Sequence, residues 1–442
     1  MVGKRRPRKF RPPYRKVTGT GEIIENEVID EELLDQLSVD DAGNADGNKN
    51  GINGNKSGNP NGNPNGNPNG NPNDQIEHSD SNSEPIPKDY ISNLPIDILD
   101  DICQKLPSCV PLLFVSRKWF VISCRYVYAS PHLISSNFSP FLQTLTENKI
   151  LGPLVRELNL VSIAQIGKNS MLSKLLHKCS TNLRLFVAPQ SHFGYAPMIS
   201  LSHCTHLEVL DLSLVSEKID LAKLFKIICK FKELRVLYFP RSSLACTAEL
   251  DEDANSSMEW PPNLMRLGLS GGFPPHFIET TNFPKTITDL QITNCPYLTK
   301  QSFNHLLSKM GPQLKKLAVL YPLALLNEDA LDYVFLMCPN LKSLQVSVDY
   351  LTDEALDPTR TPLNHPLTTL PLYSSGLMGN SDKIRPGDIL LATDYFLNLK
   401  AVQDSLLLGW KPESPTLMGL AEVLYKRAGG VWYSRAREQN RT

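Results

Sequence analysis

At 442 residues the chain has room for two or three domains, and a 41% apolar content can build a sizeable core. A net charge of −1 excludes a globally basic nucleic-acid binder or a polybasic membrane-surface protein. The nine cysteines are scattered singly with no CxxC, so they predict reduced thiols rather than a disulfide framework. No signal-peptide pattern opens the sequence, and no apolar run reaches the ~18 residues of a membrane span. The expectation is a chain of the cytoplasm, the nucleus or both, with no membrane partner.

Residues 1–84 are expected to be disordered. They open with eight Lys or Arg between Lys4 and Lys16, broken by three prolines that prevent a regular helix. Such an arm reads either as a nuclear localisation or RNA-contacting segment or as a solvated tail. Residues 22–41 then turn acidic, with apolar residues such as Ile23, Val28, Leu33 and Leu37 interspersed, and predict a short transient helix. The NPNG repeats from Asn59 to Asn73 carry turn formers and nothing to bury, which predicts an extended spacer.

The next segment, LPIDILDDICQKLPSCVPLLFVSRKW at 94–119, reads as two short amphipathic helices opened by Leu-Pro and closed by Trp119. Pro95 suits the first turn of a helix. Ile98, Leu99, Ile102 and Leu106 recur at helical spacing, and Leu112, Leu113, Val115 and Trp119 follow Pro111. Taken alone, the pattern also fits a helical hairpin that buries its own core. The order Leu-Pro, acidic residue, Ile-Leu, Ile, Leu-Pro and Val-Ser-Arg-Lys-Trp resembles the F-box family, over roughly Pro85 to Arg125. The resemblance implies docking onto the Skp-type adaptor of a cullin-based ubiquitin ligase. The residues it implicates are Leu94, Pro95, Ile98, Leu99, Ile102, Leu106, Val115 and Trp119, in an F-box domain spanning 85–135.

From residue 150 an LxxLxL pattern recurs. It starts at 155, 183, 207, 234, 264, 287, 314, 341 and 367, in steps of 23 to 30 residues. The mean step, about 26.5 residues, falls in the window of leucine-rich repeats. Each pattern predicts a short strand with its apolar residues inward. Helical runs lie between them at 172–179, 221–231, 303–310 and 331–338. A strand plus a helix of this size cannot bury its own apolar face, so neighbouring units must stack. The predicted fold class is therefore α/β: an F-box helical motif, then a leucine-rich-repeat horseshoe over 150–375 with a parallel sheet on the concave side and helices outside. Cys179, Cys204 and Cys338, with CPNL at 338–341 and LTDEAL at 351–356, resemble the cysteine-containing repeats of F-box proteins. Residues 376–442 show no clear repeat and are assigned to a cap and tail.

No GxGxxG, GxxxxGK[ST], HExxH or GxSxG motif is present. HCTH at 203–206 comes nearest to a metal site, but Cys204 falls at a repeat position and no second ligand pair follows. The expectation is a non-enzymatic subunit without metal or cofactor. Strand residues flanking the central apolar one should face the concave surface; among them Asp211, Tyr238, Arg266, Gln291 and Lys316 are the substrate-binding candidates, centred on Tyr238 and Arg266. The loop 246–259 accounts for the longest step. Together with the two resemblances, this reading makes the chain the substrate receptor of an SCF-type ubiquitin ligase. Its expected partners are the Skp-type adaptor, the cullin and RING subunits behind it, and a protein substrate. Alternatives are a non-degradative leucine-rich-repeat scaffold and a nuclear RNA- or chromatin-associated protein led by the basic arm, although nucleic acid is not the expected partner.

Overall fold

A computed structural model describes residues 94–163, 169–244, 259–376 and 383–434. The basic arm, the acidic stretch, the Asn-Pro spacer and most of the 246–259 loop lie outside the described residues. The chain forms two compact units, one ending at Val127 and the other starting at Tyr128, so the break comes earlier than the expected 135.

In the first unit, helix α1 spans Ile96–Lys105. Pro95 stands one position ahead of the expected first turn: it is the N-cap residue, and its carbonyl accepts the Leu99 N–H at 3.2 Å. Val110–Phe114 forms a 3-10 turn rather than the expected second helix. That helix, α2, begins only at Arg117 and runs to Ala129, so Trp119 sits near its start instead of closing the segment. The Ser116 hydroxyl explains the shift, because it accepts the Trp119 N–H at 3.4 Å in the manner of an N-cap. Leu99, Cys103, Cys109, Trp119 and Ile122 form the core, with Leu94, Ile102 and Leu106 packed against it. Lys118 Nζ donates to the Leu94 carbonyl at 2.6 Å and ties the entry of α1 to α2.

The second unit is α/β, built on a large parallel sheet. Helix α3 (Phe138–Glu147) leads into β1 (Glu157–Asn159), α4 (Asn169–Cys179), β2 (Leu185–Val187) and α5 (Tyr195–Leu201). Next come β3 (Val209–Asp211), β4 (Ile219–Asp220), α6 (Leu221–Ile228), β5 (Val236–Tyr238) and β6 (Ser243–Leu244). They are followed by β7 (Arg266–Leu269), α7 (Pro275–Thr280), β8 (Asp289–Ile292), α8 (Lys300–Met310) and β9 (Lys316–Val319). The remainder is α9 (Val334–Met337), β10 (Ser343–Ser347), β11 (Thr369–Tyr373), α10 (Pro386–Ala392), β12 (Ala401–Ser405), α11 (Pro415–Lys426) and β13 (Gly430–Ser434). Eleven strands pair in the order β1-β2-β3-β5-β7-β8-β9-β10-β11-β12-β13, and β4 pairs with β6 separately.

Each of the nine LxxLxL patterns becomes one strand of this sheet. The central leucines fall into register: Leu158 opposite Phe186, then Leu210, Leu237, Leu267, Leu290, Leu317 and Leu344. All of them are buried, together with helix residues such as Leu175, Leu224, Phe303 and Phe335. The sheet does not stop at 375 as expected. β12 and β13 extend it, and Val402 and Val431 continue the register from Leu370. The segment assigned to a cap thus contributes two more strands and two helices.

Amide side chains stitch successive units together. Asn182 donates to the Pro153 carbonyl, Asn263 to Lys232 and Asn340 to Pro312, each at 2.8 Å. Gln313 donates to Pro284 at 3.1 Å. Each bond reaches a backbone acceptor one unit back and so ties neighbouring units together. Near the last strand, Arg427 does the same work alone, donating to the carbonyls of Thr393, Phe396 and Leu399.

Candidate functional site

Two surfaces carry the residues singled out by sequence. On the first unit, Leu99 and Trp119 are consumed by the unit's own core, and Leu94, Ile102 and Leu106 are half-buried against it. Pro95, Ile98 and Val115 face outward. The sequence reading missed two more exposed apolar residues, Phe114 and Phe120. Phe114 is 75% exposed and Val115 62%, on a unit with a small core of its own. Large apolar side chains are thus left on the outside of this small unit. Their position follows from the 3-10 turn: it folds Cys109 inward and leaves the chain's apolar residues at 114 and 115 pointing away. A strict helical period through 110–119 would have given a different face.

On the second unit, the strand residues flanking the buried leucines make two rows across one face of the sheet. One row reads Leu185, Val209, Val236, Arg266, Asp289, Lys316 and Ser343. The other reads Val187, Asp211, Tyr238, Gly268, Gln291, Ala318 and Gln345. The structure therefore brings all five substrate-binding candidates onto consecutive strands, β3 to β9. Arg266 and Lys316 converge on Asp289, which the sequence list of best candidates left out. Arg266 Nε and Nη2 each lie 3.2 Å from Asp289 Oδ2, and Lys316 Nζ lies 3.8 Å from the same oxygen. Tyr238 hydrogen-bonds Arg266. Burial pushes the Tyr238 hydroxyl pKa up and the Arg266 guanidinium pulls against that rise, so the phenol stays protonated at neutral pH. Asp211 is engaged locally, accepting the Ser213 N–H at 2.8 Å. Gln291 stands next to Gly268 in the second row.

Gly268 is what lets Tyr238 lie flat. A Cβ placed there would stand 2.1 Å from Tyr238 Cδ1. Gly268→Ala is therefore expected to lift the ring off the sheet and break its bond to Arg266, with little change in melting temperature. A shift of the Tyr238 ring resonances in the variant's NMR spectrum, with the core methyl resonances unmoved, checks this. Sequence reading also missed the apolar half of the face. Leu185, Val187, Val209 and Val236, on β2, β3 and β5, are half-buried on the same face. The signal was present, because they occupy the same flanking positions as the polar candidates.

At HCTH the side chains are engaged separately. Cys204 is buried, His203 Nδ1 lies 3.2 Å from the Ser200 carbonyl, and His206 Nδ1 lies 3.0 Å from Glu233 Oε1. Among the described residues, no three His, Cys, Asp or Glu side chains could hold an ion. No helix among the described residues is long and apolar enough to cross a membrane.

In chain order, a small helical unit with exposed apolar side chains precedes a repetitive parallel sheet with a mixed apolar and charged face. No family model matches the chain. It is 42% identical over 328 residues to F-box protein YDR306C of Saccharomyces cerevisiae, covering 72% of this chain and 67% of that protein. It is 33% identical over 324 residues to Protein pof5 of Schizosaccharomyces pombe, covering 73% of this chain and 90% of that one. The chain belongs to the F-box proteins. A solved structure described as the Rad7 and Elc1 complex in yeast matches 64% of this chain and 87% of its own at 14% identity, with a TM-score of 0.32, too distant a likeness to bear on function.

Proposed function

We propose that this chain is the substrate-recognition subunit of an SCF-type ubiquitin ligase, itself non-catalytic and working in the cytoplasm, the nucleus or both. The observation that carries this reading is the set of apolar side chains that the first unit leaves outside its own core: Ile98, Phe114, Val115 and Phe120. They give a Skp-type adaptor an apolar surface to cover, with Pro95 alongside. Leu94, Ile102 and Leu106 sit half-buried behind them, and Leu99 and Trp119 set the shape from within.

The eleven parallel strands and their helices are the leucine-rich repeats of a horseshoe, with the two-row sheet face as its concave side. A protein substrate lies on that face, seating apolar side chains over Leu185, Val209 and Val236 and polar ones over Arg266, Asp289 and Lys316. Ubiquitination is then a matter of proximity: the complex holds substrate lysines near the charged enzyme and turns an encounter into an effectively intramolecular step. Degradation by the proteasome follows.

Affinity purification of the full-length chain, read by mass spectrometry, is expected to recover a Skp-type adaptor with cullin and RING subunits. A chain carrying Leu94→Ala and Pro95→Ala should lose all three and keep its substrates. Recovery of none of them with the unaltered chain overturns the reading.

A further inference from the structure

The two ends of the strands carry different charge. The residue just ahead of each strand of the main sheet, from β1 to β12, belongs to one continuous row. Each member donates its N–H to the carbonyl of the member before it at 2.8 to 2.9 Å, from Arg184 onto Arg156 to Lys400 onto Thr368. Arg156, Arg184, Arg235, Lys315, Lys342 and Lys400 stand in this row against Glu208 alone, on a chain whose net charge is −1. Arg235, Lys315, Lys342 and Lys400 are exposed, and Arg156 and Arg184 are half-buried. Lys315, Lys342 and Lys400 enter no ion pair among the described residues. At the other end of the strands, the position two residues past the row of Val187 and Gln291 carries no charge, from Val161 through Ser270 to Ser405. Neighbouring strands lie about 4.8 Å apart, so the basic row runs for roughly 43 Å. A cleft of about 570 Å³ opens at its middle, lined by Glu208, Arg235 and Met265 of the row and by Glu233, Asn263 and Thr286 beside them.

We infer that this row is the docking surface for an acidic protein segment, which lies extended across the strand ends. The charge selects an anionic partner, because cations set in a line concentrate opposite charge along it. The interruptions select protein over nucleic acid. A phosphate chain carries a charge at every step and would meet like charge at Glu208 and Glu233, whereas a peptide can set a neutral or basic side chain there. Met265, 50% exposed, gives such a side chain an apolar contact beside the two carboxylates. The row holds no aromatic ring on which a base could stack. A lipid surface is matched no better, because Met265 is the one large apolar side chain the row could insert. The inference does not rest on the ligase reading: a chain that captured no adaptor would still bind the acidic segment.

The probe is a labelled peptide of alternating Glu and Ser, roughly 14 residues long, which spans the row at about 3.3 Å per residue. Fluorescence anisotropy with the full-length chain is expected to show binding that weakens as salt rises. Lys315→Glu with Lys342→Glu and Lys400→Glu should weaken that binding at least tenfold with unchanged far-UV circular dichroism. Lys174→Glu on α4, with Lys226→Glu on α6 and Lys411→Glu, makes the same change in net charge away from the row and should leave the affinity within about twofold. A DNA duplex and phosphatidylserine vesicles are titrated alongside as rival probes. Absence of peptide binding overturns the inference, and so does an equal loss in the two triple variants. A row variant that weakens the duplex or the vesicles more than the peptide overturns it as well, and would assign the row to nucleic acid or to lipid.

Discussion

Ile98→Asp together with Val115→Asp is expected to abolish capture of a Skp-type adaptor while leaving the melting temperature of the chain unchanged. Both side chains are exposed and neither belongs to the core of the first unit. A charge placed there meets water in the free protein and costs little folding energy, but in a complex it would be buried against apolar partner surface without a counter-ion. Trp119→Ala makes the opposite case. Its ring is buried among Leu99, Cys103, Cys109 and Ile122, so the truncation removes core contacts and leaves a cavity worth about 3–5 kcal/mol. Adaptor capture should then fall because the unit unfolds. Pull-down of each variant beside thermal melts separates the two mechanisms. If Ile98→Asp with Val115→Asp still captures the adaptor, the docking face lies elsewhere.

Asp404→Leu is expected to stabilise the chain, and by an amount that grows with pH. The inward row of Leu269, Ile292, Val319 and Val346 is apolar throughout, and Leu372 follows in the same position of β11. In β12 the corresponding residue is Asp404, 1% exposed, with Oδ1 lacking any hydrogen-bond partner. Desolvation by burial pushes its carboxyl up to about 7. An unfolded aspartate ionises near pH 3.9, so the folded chain holds a proton that the unfolded chain releases. Stability is fully present below about pH 4 and drains away as pH rises towards 7, beyond which the loss is complete. From such a shift, Asp404→Leu should gain about 3–4 kcal/mol above pH 7, beyond any pH-independent packing change. Urea denaturation of both forms at pH 5 and pH 8 checks the slope, and a gain that does not change with pH would show that Asp404 is not held protonated. His365 works in the other direction. It is buried between Phe335 and Phe396, with Nδ1 unpartnered and Nε2 3.0 Å from the Cys338 carbonyl. Burial lowers its pKa, so its contribution is present above about pH 6.5 and lost as pH falls.

Asp404 also explains where sequence reading faltered. Nine strands were legible because leucine or a close substitute sits at each inward position and the period-two pattern survives. AVQDS puts a carboxylate on an inward position, and GVWYS keeps only Val431 and Tyr433 to signal a strand. Both strands form anyway, because a neighbouring edge supplies hydrogen bonds that the local sequence need not advertise. The recurring cysteines were visible as a pattern. The amides of Asn182, Asn263, Asn340 and Gln313 were not, since their partners lie a whole unit back in the chain. In the first unit, the residue list was readable but its division was not. Helical spacing grouped Leu99 with Ile98, and only the packing shows that one faces in and the other out. The charged cluster was half-legible: Tyr238 and Arg266 stood out by residue type, whereas Asp289 earns its place by sitting between two cations on adjacent strands.

The strand order of the main sheet carries a further consequence. Every strand touches only its predecessor and its successor in that order. Among the described residues no strand pairing joins the first strand to the last, so cohesion is a sum of links, each as strong as one interface between neighbours. Such a chain frays rather than melts as a whole. Amide hydrogens of β13 and β12 should exchange with solvent well before those of β7 or β8, and a lesion at one link should loosen its own turn and leave distant turns folded.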